Sequence, residues 1–202
     1  HKQTKRLDNY LIWSSFIRIL SNLPTNKISM EIIDLIPVWL DSKFNTMLQV
    51  MEIMGKLFPR FLTDNPDDIQ KAEQIIWHLT EIKKEYEKKV LKVDIYLLQE
   101  FFKKHLNTIA EKCSIKLGDI FVERIKEIVS TEYEGTLNSL YDCGEKNYLL
   151  GKPVELFTYV LSQILLIKTK KEPKKVRQFL KSFFEDPHPI FTKISLFIIG
   201  QN

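Results

Sequence analysis

Six cations lie within ten residues near the C-terminal end: Lys168, Lys170, Lys171, Lys174, Lys175 and Arg177, opposed only by Glu172. That spacing could grip phosphates, since each phosphate neutralised releases counterions and adds salt-dependent affinity. A second basic run extends from Lys83 to Lys92. Either run also fits a solvated connection between helices, which is the plainer reading of 168–177. The four histidines, at positions 1, 78, 105 and 188, are too scattered to form a cluster by proximity, and no HExxH, CxxC or Gly-rich phosphate motif occurs. His78, next to Trp77, and His105, next to Lys103 and Lys104, read as histidines at the edge of a core. Asp67 and Asp68 could hold a cation, but as the opening acids of a helix they are explained by its dipole. No serine, cysteine or carboxylate arrangement would activate a nucleophile. These residues predict a noncatalytic chain with no metal and no cofactor.

Composition sets the frame for those groups. The chain has 202 residues, 44% hydrophobic and 28% charged, which suits a folded chain with a real core and argues against disorder. Thirty basic and 26 acidic residues leave a net charge of +4, too mild to imply nucleic acid by itself. The two cysteines, Cys113 and Cys143, have no zinc-ligand spacing and form no secreted-type framework, so they read as reduced thiols of a cytoplasmic protein. No segment approaches the roughly 18 apolar residues needed to span a membrane; Ile164-Leu165-Leu166-Ile167 ends at Lys168. The chain starts at His1 without a methionine and stops after the apolar run Leu196-Phe197-Ile198-Ile199, which reads as a fragment of a larger protein.

The elements that would position these groups are helices. Apolar residues recur at 3.6-residue spacing in successive segments of 12 to 20 residues, with only six glycines in all. The first stripe runs Leu7, Leu11, Ile12, Phe16, Ile19, Leu20 and Leu23, ended by Pro24. Ser29 is a candidate N-cap for a short helix, which Pro37 kinks or breaks before Val38-Trp39-Leu40. Phe44, Met47, Leu48, Met51, Met54, Phe58 and Phe61 predict one helix opened by Asp41-Ser42, with Gly55 inside it serving the close approach of a neighbouring helix. Asn65-Pro66-Asp67-Asp68 marks a helix start. That helix is expected to continue into a solvated extension, with Glu85 and Lys89 paired at i,i+4, or to give way to a linker. Further helices are expected through Leu97–Ile109, Leu117–Ile128, Leu156–Leu165, Val176–Phe184 and Ile190–Ile198, whereas 130–152 is the least regular stretch, with Gly135, Gly144 and Gly151 in it. No strand pair with a tight turn is expected. The fold predicted is all-α: about nine or ten helices in degenerate HEAT-like repeats forming an α-solenoid, one segment over 1–202 with a subdivision near 84–93, and a compact bundle as the rival.

Four stretches carry a resemblance: Pro37-Val38-Trp39-Leu40-Asp41, Ala72 to Leu79, Phe101 to Cys113, and Asp186-Pro187-His188-Pro189-Ile190-Phe191. Together they resemble the helical-repeat region of large bacterial STAND-type ATP-binding proteins, including those of antiphage defence. After the last stretch such proteins tend to carry a basic pair where this chain has Thr192 and Lys193. The resemblance implies a nucleotide switch and an effector elsewhere in a longer parent, with this region as scaffold or ligand sensor. The function expected is recognition of a protein partner or of other domains of the parent chain, with nucleic-acid binding through 168–177 as the alternative and no membrane association.

Overall fold

The structure, a computed structural model, describes residues 10–41, 46–85, 88–129 and 152–201. Phe44, Cys143, Gly135, Gly144, Gly151 and the stretch 130–151 lie outside them. The described residues are mostly helical and divide into two compact units, His1–Glu81 and Ile82–Asn202. Among the described residues no helix is long and apolar enough to cross a membrane.

The first unit holds α1 (Tyr10–Leu20), α2 (Met30–Ile33), α3 (Ile36–Trp39), α4 (Met47–Glu52) and α5 (Pro66–Leu79). Pro37 sits in the first turn of α3, so the chain breaks after α2 and restarts. Ser29 occupies the N-cap position of α2 without a capping side-chain bond. Asn65 does cap α5, its side chain accepting the Asp67 N–H at 3.0 Å, with Pro66 in the first turn. The core gathers Ile17, Ile33, Ile36, Trp39, Phe58, Phe61, Ile75 and Ile76, all fully buried. Trp13 and Phe16 of α1 close on the Trp39 ring at 6.4 and 5.6 Å.

Two expected faces are turned. The core side of α1 is Ile17 and Leu20, while Leu11, Ile12 and Ile19 are exposed, because both sides of this helix are apolar and the period alone has no unique phase. The expected helix over 44–61 is three pieces. After α4 comes a π-turn, Ile53–Leu57, and then a 3₁₀ turn, Phe58–Phe61, that contains Pro59. The changed winding breaks the 3.6-residue phase, so Met54, Phe58 and Phe61 are buried but Met47, Leu48 and Met51 face outward. Gly55 lies exposed in the π-turn, and a Cβ there would meet nothing within 4 Å. No neighbouring helix explains it.

The second unit opens with a strand pair where a helical extension was expected. β1 (Ile82–Glu85) and β2 (Lys88–Leu91) are antiparallel, with Ile82 opposite Leu91 and Glu85 opposite Lys88. Glu85 and Lys89 are therefore not helical neighbours. Lys84 faces Lys89 across the pair, and Lys89 relieves that repulsion by donating to the Glu127 carbonyl at 2.6 Å. That carbonyl lies in the last turn of a helix, where backbone acceptors are otherwise unsatisfied. Then come α6 (Ile95–Lys112), α7 (Leu117–Val129), α8 (Pro153–Lys171), α9 (Pro173–Glu185) and α10 (Pro189–Gly200). Helix α8 is central: it packs against α6, α7, α9 and α10 and buries residues around its circumference, among them Phe157, Val160, Leu161, Ile164 and Leu165. A file of rings joins three helices, Phe102 to Phe121 at 5.7 Å and Phe121 to Phe157 at 5.8 Å. On the other side Phe183 of α9 meets Phe191 of α10 at 5.0 Å. Gly118 of α7 admits this packing, for a Cβ there would stand 3.0 Å from the Phe179 ring and 3.4 Å from Leu161.

Candidate functional site

The basic run 168–177 bends at a corner. Lys168, Lys170 and Lys171 occupy the last turn of α8, Glu172 caps that helix, and Pro173 opens α9, which carries Lys174, Lys175 and Arg177. Cations suit the negative end of α8 and oppose the positive end of α9, so the corner needs a carboxylate. Glu172 supplies it. It lies 3.3 Å from the Lys168 ammonium and 2.6 Å from that of Lys175. The hydrogen bond from Lys175 holds the Glu172 carboxyl below the ordinary glutamate range, with Lys168 adding to it against the opposing effect of burial.

That pairing splits the six cations. Lys168 is 4% exposed and serves structure, its stem packed in the core and its charge met by Glu172. Lys175 is exposed but engaged. Lys170, Lys171, Lys174 and Arg177 are exposed, and no ion pair engages them among the described residues. Farther along α9, Lys181 is likewise exposed and unpaired, and Phe184 is 49% exposed. Sequence reasoning placed Phe184 in the core stripe and passed over Lys181. The stripe of Val176, Leu180 and Phe183 already satisfies the buried face. Of the second basic run, Lys83 and Lys84 lie exposed on β1, while Lys89 is bonded to α7.

The histidines and acids hold the scaffold. Asp68, buried at the start of α5, accepts from Thr25 Oγ1 at 3.1 Å and Thr63 Oγ1 at 2.9 Å, with Lys71 Nζ 3.9 Å away. Lys71 also donates to the Thr25 carbonyl at 3.1 Å. This network ties two loops to α5, so the acid pair fulfils a helix-start role. His78 is buried, 3.3 Å from Asp34, which also accepts from Gln74 at 2.8 Å. His105 leans on the Phe101 ring at 5.4 Å; burial first, and the Lys104 charge second, hold its pKa below the usual histidine range. Burial raises the Asp119 carboxyl, with Lys116 opposing.

The Asp186-Pro187-His188-Pro189 stretch is the connection from α9 to α10. Asp186 accepts the His188 N–H at 3.0 Å and lies 2.6 Å from Lys126 of α7. Burial opposes its charge, yet the Lys126 hydrogen bond and the His188 N–H together hold the carboxyl below its ordinary range. His188 Nδ1 in turn accepts the Ile190 N–H, capping α10. Among the described residues no group of three histidines, cysteines or carboxylates could hold a metal ion.

The other surface feature is apolar and belongs to the first unit. Met47, Leu48 and Met51 make the outward face of α4, between 43% and 50% exposed, while Gln49 on the same helix is fully buried. Leu11, Ile12 and Ile19 are exposed on α1, which packs on α4. Arg18 of α1 reaches Glu52 of α4 at 2.8 Å and fixes that pairing. The periodic pattern holds no signal for this face, because the π-turn that rotates it has no sequence period of its own.

No protein family, curated protein or solved structure matches this chain.

Proposed function

We propose that this chain is a noncatalytic helical scaffold that recognises a protein partner through the apolar face of α1 and α4. The carrying observation is the inversion on α4, where Gln49 is buried and Met47, Leu48 and Met51 face outward. Three large apolar side chains turned outward on a single short helix leave apolar area in water that an occupant would remove, and exposed apolar patches mark interaction sites on folded proteins. Methionine suits the task, because its flexible thioether adapts to an irregular partner surface.

The helical-repeat reading belongs to the same proposal. Helices α8 and α9, and α9 and α10, pack as sequential neighbours, as in HEAT-like pairs. In the second unit those pairs gather around α8, so the scaffold we propose is a repeat array condensed onto one central helix there. The resemblance to the STAND-type helical-repeat region is the reason to seek the partner in phage-infected bacteria.

The test uses the tagged protein and its M47E/L48E/M51E variant as baits in nuclease-treated lysates of infected and uninfected bacteria. A protein retained by the parent and lost with the variant, while circular dichroism keeps the same helicity, is the expected result. Equal retention by both baits would remove this face from the function. A partner held only from infected lysate would extend the proposal to sensing.

A further inference from the structure

We propose that the outward face of α9 binds single-stranded nucleic acid, with Lys174, Arg177 and Lys181 on successive phosphates and Phe184 as a stacking platform for a base. The proposal is independent of the apolar face of α1 and α4. Residues three, four and seven apart on a helix share a face, so Lys174, Arg177 and Lys181 form one stripe, and Phe184 comes three residues after Lys181 and seven after Arg177. The stripe spans about 10 Å of helix axis, enough for a few nucleotides. All four side chains are exposed, and no ion pair among the described residues competes for the three cations. Lys170 and Lys171 extend the positive surface around the corner onto α8.

The neighbouring carboxylates leave the stripe positive. Glu172 is taken by Lys168 and Lys175, Asp186 by Lys126, and of the carboxylates of α9 itself only Glu185, four residues after Lys181, shares the stripe's face, at its far end. Phe184 is what selects a single strand. A phosphate stripe alone attracts any polyanion, whereas an aromatic ring beside it can stack only on bases that are not already stacked in a duplex. A membrane surface is the less suited occupant, because the apolar face of α9, Val176, Leu180 and Phe183, is buried in its own unit and cannot insert.

Fluorescence anisotropy of the full chain with a labelled oligothymidylate of roughly 15 nucleotides, matching the site sizes of single-strand binders, tests this. K174E/R177E/K181E should weaken binding at least tenfold. K83E/K84E/K104E, which reverses three exposed charges elsewhere in the same unit, should change it by less than about threefold, because it alters the net charge and none of the three phosphate contacts. F184A should weaken it about five- to 150-fold and F184W should restore it, the range of one base stacked. The plot of log affinity against log salt should have a slope of about −2 for three phosphates on a single strand, unchanged in F184A. Equal losses in both triple variants would reduce the effect to net charge and overturn the site. A duplex bound as tightly as the single strand, with F184A silent, would overturn stacking. Retention by phosphatidylserine vesicles but not by the oligonucleotide would replace nucleic acid with a lipid surface.

Discussion

Lys168 and Glu172 stand close enough to be one unit, yet their removal should have unequal effects. Glu172→Gln leaves the Lys168 ammonium buried without an opposing charge and leaves one acceptor oxygen where Lys168 and Lys175 now have two, so at pH 7 it should destabilise the fold by about 2 kcal/mol. Lys168→Met removes the buried charge and keeps the stem, and should change stability by less than about 1 kcal/mol in either direction. The folded-state pKa of Glu172 is lowered, so the stability it contributes is present above its unfolded value and is lost as pH falls through the folded one. Urea titrations of parent and E172Q should therefore converge in the acid range and separate toward neutrality. A pH-independent gap would mean that the carboxylate charge contributes nothing. The same residues mark what the sequence could and could not reveal about the site. All six cations of 168–177 were legible as a run, but which of them are engaged depends on the bend at Glu172-Pro173, and Lys181 and Phe184 join them only once the buried face of α9 is known.

At the scale of elements, two glycines separate winding from packing. Gly118 lies in α7 where an added methyl would meet the Phe179 ring at 3.0 Å and Leu161 at 3.4 Å. Gly118→Ala would gain about 1 kcal/mol of helix propensity but must displace a ring wedged between helices, and a net loss of about 1 kcal/mol is expected. Gly55 meets nothing, so Gly55→Ala should stabilise the chain by about 0.5–1 kcal/mol through the restricted unfolded state. Thermal melts of the two variants should shift in opposite directions. A parallel shift would show that the Gly118 contact has room to relax. The opening expected at Asp41-Ser42 was misplaced, α4 beginning at Met47 instead, but the helix start at Asn65-Pro66 was readable, because capping is local chemistry. The strand pair at 82–91 was not. Its lysine-rich strands show no alternation of apolar and polar residues, and what anchors Lys89 is the carbonyl of Glu127, a residue 38 positions away.

For the whole molecule, each of the two units contains its own set of fully buried side chains: Trp39, Phe58 and Phe61 in 1–81, and Phe102, Phe121, Phe157 and Phe191 in 82–202. The mostly helical class was legible from periodicity and scarce glycine, whereas the grouping around α8 was not, since a central helix and a flanking one have the same period and differ only in how many sides are covered. The two surface features segregate in the same way, the apolar face on 1–81 and the cationic stripe on 82–202. A core that closes within one unit needs nothing from the other to fold, and a site built on one helix of that core travels with it. Residues 82–202 expressed alone should therefore melt cooperatively by circular dichroism and bind the oligothymidylate within about threefold of the full chain, a difference below about 0.7 kcal/mol. A gradual melt would mean that the core around α8 is incomplete without 1–81. A cooperative melt with binding lost would instead mean that the stripe on α9 does not by itself hold the strand.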